Sequence, residues 1–150
     1  MRPSANVVAA WARLVRAHTR ALGHVETALK RAGLPPLAWY DVLLELERAK
    51  KPLRLHALQA ELLLAQYNLS RLIDRLEEDN LVRRIADPAD GRGQLVSLTA
   101  KGAQLRRRMW PVYGRAIHET IGMRLDAGEA RTLARLLTKL AGDRGPDIDG

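Results

Sequence analysis

The sequence predicts a mainly α-helical protein with one small β-hairpin, and three observations predict it. Apolar residues recur at steps of three and four over most of the chain, which is the period of an amphipathic helix. Two short helical patterns follow one another with only a few residues between them, the spacing of a helix-turn-helix. The stretch RRIADPADGRGQLVSLT, residues 83–99, then replaces the helical period with short, partly β-branched runs on either side of an Asp, Pro and Gly loop.

Each element has its own signal. From Ser4 to Lys30, the residues Val7, Val8, Trp11, Leu14, Val15, Leu22, Val25 and Leu29, with His18 in line, make one stripe of a long helix. It ends near Gly33, Pro35 and Pro36. Leu37 to Arg48 carries Trp39, Val42, Leu43 and Leu46 and stops around Lys50, Lys51 and Pro52. The two short helices are Leu55 to Leu62 and Gln66 to Asp79, and the hairpin strands are Arg83 to Ala86 and Gln94 to Leu98. Thr99 is a natural N-cap for a helix from Ala100 towards residue 122, with a bend expected at Pro111. Asp126 and Glu129 are spaced to cap a last helix running to about Leu140, and the tail 142–150 is expected to be flexible.

A chain of 150 residues holds one sizeable core, so residues 1–150 are read as a single domain. No segment is long and uncharged enough to cross a bilayer, no secretory signal opens the chain, and the absence of cysteine excludes disulfides and thiol chemistry. A cytoplasmic location without a membrane partner is the expectation. The net charge of +8 points to a polyanionic partner. Its excess lies towards the two ends, with six Lys and Arg against one acid over residues 1–40 and ten against six over residues 93–150, so net charge does not locate the binding element. Nucleic acid, an anionic membrane surface and an acidic protein all remain open.

The Gln66 to Asp79 helix buries Leu69, Leu72, Ile73 and Leu76 on one face and offers Gln66, Tyr67, Asn68, Ser70 and Arg71 near its N-terminus. These are base-edge donors and acceptors at the end where backbone N–H groups also attract phosphate, which suits major-groove docking. Arg71 is the best guanine reader. Arg75, one turn later, suits phosphate or an internal ion pair with Glu78 or Asp79. A merely solvated polar face is the blander account of such a pattern. The acids Asp74, Glu77, Glu78 and Asp79 also confine any DNA footprint to the first two turns.

The hairpin tip lacks the alternating oxygen ligands and closing glutamate of a calcium loop, and its glycines open a strand where a phosphate loop would open a helix. Instead Pro88 stiffens the turn, Gly91 and Gly93 permit positive φ, and Asp87 and Asp90 can accept from loop amides. Arg92 is left as the cation presented outward, suited to a minor groove, against the alternative of a plain surface arginine.

Taken together, LSRLIDRLEEDNLVRRIADPADGRGQLVSLTAKG resembles the MarR family of bacterial winged-helix transcription regulators. The matching residues are Leu69, Ser70, Arg71, Leu72, Asp74, Arg75 and Leu76, then Asp87, Pro88, Asp90 and Arg92, then Leu98, Thr99 and Gly102. WYDVLLELE and the long helices at both ends extend the likeness. The resemblance implies a winged helix-turn-helix over residues 37–98 and dimerisation helices over 1–33 and 100–141. Its homodimer would place Arg71 and its neighbours in adjacent major grooves of a palindromic operator, and Arg92, oriented by Asp90, in the flanking minor groove. The apolar rows of the first helix and of Leu105, Met109, Val112, Ala116, Ile117, Ile121 and Leu125 exceed what one small winged domain must cover. One departure is Ala65, standing where a capping Ser or Asp is common, an omission that costs about 1 kcal/mol.

Many such proteins release DNA when a small aromatic acid binds. Trp11, His18, Trp39, Tyr40, Trp110 and Tyr113 supply aromatic surface, and Arg16 and Arg115 could hold a carboxylate; core packing is the competing role for each of these rings. The histidines at 18, 24, 56 and 118 form no metal pattern, and no catalytic or cofactor motif is present. The sequence therefore reads as a non-enzymatic, ligand-responsive DNA-binding regulator. The alternatives are a winged-helix protein-interaction module without operator binding and a basic amphipathic membrane binder.

Overall fold

The computed structural model describes residues 1–64 and 68–142. The chain divides into a winged unit, Leu34–Pro111, and a terminal unit in which Met1–Gly33 is joined by the stretch from Val112 onwards.

In the terminal unit, α1 spans Ala5–Arg31. Ser4 caps it, its Oγ accepting from the Val7 N–H at 3.3 Å, and Gly33 leaves it with a φ of 70° that a side chain would resist. Val25 and Leu29 are buried, as are Tyr113 and Ala116, while Val7, Val8, Trp11 and Val15 stand exposed. At the other end, α6 spans Ala127–Ala141 and is closed by the expected reciprocal box: Glu129 N–H to Asp126 Oδ1 at 2.8 Å and Asp126 N–H to Glu129 Oε2 at 3.0 Å.

The winged unit contains α2 (Leu37–Ala49), β1 (Leu53–Arg54), α3 (Leu55–Glu61), α4 (Leu69–Glu78), β2 (Val82–Asp87) and β3 (Asp90–Leu98). The period of three and four in α2 and α4 is realised as one closed core. Val42, Leu43, Leu58, Ile73 and Leu76 lose all solvent contact, with Leu46, Leu62, Leu69, Leu72, Leu81, Val82 and Val96 around them. The expected hairpin is one strand larger. β1 pairs antiparallel with β3, Leu53 opposite Val96 and Arg54 opposite Leu95, giving the order β1-β3-β2. A two-residue strand carries no period of its own, so only the edge it completes defines it.

α5, Ala100–Ile117, leaves the winged unit and enters the terminal one. Thr99 caps it as expected, accepting from the Gly102 N–H at 3.0 Å, and its own hydroxyl donates to the Asn80 carbonyl at 2.7 Å. The helix continues through Pro111, and the irregularity comes later, as a π-helical segment at His118–Gly122. Arg124 donates to the Glu119 and Thr120 carbonyls that this wider turn exposes.

Candidate nucleic-acid interface

The candidate reading helix begins at Leu69, three residues after its expected start at Gln66. Asn68 is its cap, with Oδ1 accepting from the Arg71 N–H at 3.2 Å and its carbonyl from the Leu72 N–H at 3.1 Å. The missing cap at Ala65 is thereby corrected, because the helix starts where a capping side chain is available. Gln66 and Tyr67 lie outside the described residues. The approach to α4 is fixed by Asp41 of α2, a buried carboxylate that accepts from two successive amides, Leu63 at 3.0 Å and Leu64 at 2.7 Å. A charge buried at this depth is tolerable only because both oxygens are hydrogen-bonded.

On α4, Ser70, Arg71, Asp74 and Arg75 face solvent. Two acids of this helix, Asp74 and Glu77, are paired rather than left to repel a polyanion. Arg84 of β2 sets its guanidinium 2.7 Å from Asp74 Oδ1 and 3.3 Å from Glu77 Oε1, and also donates to the Ser70 carbonyl at 3.4 Å. The Arg84 N–H donates to Glu77 Oε2 at 2.7 Å. One strand residue thus bridges two helix acids, halving their charge, and fastens the wing to α4. The expected internal partners of Arg75 do not take it up: it forms no salt bridge with Glu78 or Asp79 and remains exposed.

The wing turn is built by its acids, as the sequence suggested. Asp87 Oδ1 accepts from the Ala89 N–H at 2.9 Å, and Asp90 Oδ1 from the Arg92 N–H at 3.1 Å. Asp90 thus holds Arg92 through its backbone amide rather than through its guanidinium. The Ala89 amide and then the Arg54 guanidinium hold the Asp87 carboxyl below the usual carboxylate range. Gly91 and Gly93 do not adopt the positive φ expected of them. Gly93 leaves clearance that a side chain would narrow: a Cβ there would stand 3.2 Å from Arg54 Nη2 and 3.3 Å from Asp87 Cβ, so these neighbours would have to give by a few tenths of an ångström.

Residues 32–93, which hold the Asp41 anchor, α4 and the turn of the wing, match the MarR family. The multiple antibiotic resistance protein MarR of Escherichia coli K12 is 38% identical over 72 residues, which is 48% of this chain and 50% of that protein. The chain thus spans about half the length of the curated relatives it matches. Sco3205, a MarR family transcriptional regulator from Streptomyces coelicolor solved in complex with DNA, superposes with a TM-score of 0.79 at 27% identity, over 98% of this chain and 92% of that one. The family match thus covers residues 32–93, and the fold of the chain is similar to that of MarR family regulators. A second similar structure, BpsR of Bordetella bronchiseptica, was described for the regulation of its DNA binding by 6-hydroxynicotinic acid. It has a TM-score of 0.76 at 28% identity and covers 87% of this chain and 91% of that one.

The residues singled out for an effector fall in two units. Arg16 and His18 are exposed on α1, and Tyr113 is buried, all in the terminal unit. Trp39, Tyr40 and Trp110 belong to the winged unit, where Trp39 packs on the core. Tyr40 and Trp110 come together, stacked with centroids 6.3 Å apart, and the Arg106 guanidinium lies 6.0 Å from the Tyr40 ring. Burial raises the Tyr40 hydroxyl above its ordinary range, and its oxygen accepts from Arg106 Nη1 at 3.5 Å.

Sequence reasoning missed Asp41, Arg54 and Arg84. Their partners lie 22, 33 and 7 to 14 residues away, so no local spacing announces them. Asn68 did carry a signal, since asparagine is among the best N-caps.

Proposed function

We propose that this chain is a sequence-specific transcription regulator that binds double-stranded DNA as a homodimer on a palindromic operator. The observation that carries the reading is the pairing of Asp74 and Glu77 with Arg84, which leaves Arg71 and Arg75 exposed on α4 in the same unit as Arg92 at the wing turn. Ser70 and Arg71, with Gln66, Tyr67 and Asn68 before them, read base edges in the major groove. Arg75 meets phosphate, and Arg92, its amide held by Asp90, enters the minor groove.

The exposed apolar row Val7, Val8, Trp11 and Val15 on α1, with Leu136 and Leu140 on α6, supports a second copy as its cover. A small aromatic or phenolic acid is the effector class favoured by the BpsR parallel. Of the residues singled out for it, the Tyr40 and Trp110 pair beside Arg106 carries the most support.

Selection of bound fragments from random or genomic duplexes tests the reading. Enrichment of a two-fold symmetric sequence is expected, with affinity falling log-linearly as salt rises. Absence of any enriched sequence, together with absence of duplex binding at low salt, would overturn it. Light scattering at micromolar concentration should return the mass of two chains.

A further inference from the structure

We infer that Arg54 is a positioning residue of the wing: by taking up the carboxylates of Asp87 and Asp90 it keeps them off Arg92 and leaves the Arg92 guanidinium available to a polyanion. The inference rests on the DNA-binding reading of the wing, but the wing chemistry can be measured without DNA.

Arg92 follows two acids, Asp90 two residues and Asp87 five residues before it. Left to themselves, these charges attract. A contact pair gains about 1 kcal/mol even at the dielectric of bulk water, enough to bias a solvated tip towards closing on itself. The structure has a different pairing. Arg54 Nε donates to Asp87 Oδ2 at 2.9 Å, Arg54 Nη2 donates to the same oxygen, and Nη2 lies 3.6 Å from Asp90 Oδ2. The other oxygen of each acid accepts from a loop amide, Ala89 for Asp87 and Arg92 for Asp90. Among the described residues, the Arg92 guanidinium meets no carboxylate.

Two features of the fold bring Arg54 there. β1 places Arg54 opposite Leu95 of β3, so its side chain starts at the base of the wing. Gly93 then leaves room for the guanidinium, since a Cβ at that position would crowd both Arg54 and Asp87. The local charge follows from the same residues. Arg54 and Arg92 balance Asp87 and Asp90, whereas without Arg54 the turn would carry a net negative charge and would repel phosphate.

Three variants test this: Arg54→Gln, Arg54→Lys, and Arg54→Gln combined with Asp87→Asn and Asp90→Asn, which keep the amide acceptors but remove the charge. The first readout is the rate at which phenylglyoxal modifies Arg92 in the whole protein, followed by mass spectrometry. Arg54→Gln should slow modification several-fold, the triple variant should restore it, and Arg54→Lys, a point charge unable to hold both acids, should fall between. The second readout is affinity for the selected duplex. Arg54→Gln should lose about tenfold and about one unit of salt slope, and the triple variant should regain most of both.

An unchanged Arg92 rate in Arg54→Gln, or in Arg54→Lys where Arg54→Gln fails to give a native circular dichroism spectrum, would overturn the inference. So would lost affinity that the triple variant does not regain, because Arg54 would then be contacting phosphate directly. Failure of the wild-type protein to bind any duplex overturns the proposed function alone, and the modification rates still decide the role of Arg54.

Discussion

The winged unit and the terminal unit treat apolar side chains in opposite ways. In the winged unit Val42, Leu43, Leu58, Ile73 and Leu76 are sealed from water within a single chain, whereas in the terminal unit Trp11 is 67% exposed, Leu140 73% and Val7 58%. Such a row has no use as a solvated surface, since burying each of these side chains would release roughly 1.5–3 kcal/mol. A core completed within one chain should be stable at any dilution. An apolar face completed by a second copy should become more stable as concentration rises.

The sharpest way to break the comparison is to damage each face separately. Leu76→Ala should cost about 2–5 kcal/mol of unfolding free energy, read by urea titration, and the loss should not depend on protein concentration. Trp11→Glu should act differently, converting the proposed dimer to monomers by light scattering and removing the concentration dependence of Tm, for a loss of roughly 2–3 kcal/mol at micromolar protein. If wild-type Tm does not change over a hundredfold dilution, the contrast between the units fails.

A smaller effect concerns the junction where α5 leaves the winged unit. A Cβ on Gly102 would stand 2.1 Å from the Leu81 carbonyl oxygen, so Gly102→Ala should cost about 1–3 kcal/mol and displace the start of α5. Thermal denaturation measures the loss. The smallest effect is pH-dependent. The Asp87 carboxyl titrates below its ordinary range, so its stabilising contribution is complete above the usual aspartate pKa of about 3.9 and disappears as pH falls through the lower folded value. Asp87→Asn should therefore be less stable than wild type at pH 6, with the gap closing in acid; a gap that persists at pH 2 would contradict this.

Much of the fold was legible because its signals are local. The stripes of α2 and α4, the Asp126 and Glu129 box and the acid-built wing turn each depend on residues within about one or two helical turns of one another. β1 was illegible because Leu53 and Arg54 become a strand only through Val96 and Leu95. The start of α4 was misjudged because Gln66 and Tyr67 were counted with the polar face of the helix, although its apolar stripe begins at Leu69, where the Asn68 cap places its beginning. Arg84 could be seen as a cation but not as the partner of Asp74 and Glu77, since that depends on how β2 lies along α4. The expected role of Gly91 and Gly93 erred in kind: φ was the wrong variable, and for Gly93 clearance was the right one.

One residue, Leu81, holds both roots of the wing. The Leu81 N–H donates to the Leu76 carbonyl at 2.8 Å as the chain leaves α4, and the Leu81 carbonyl accepts from the Thr99 N–H at 3.2 Å as the chain returns. The segment between them is an excursion that departs from and comes back to one fixed point. Its tip, beyond the Ile85 and Leu95 pair, is therefore an exchangeable cassette, one that can be lengthened or replaced while α4 and α5 keep their register.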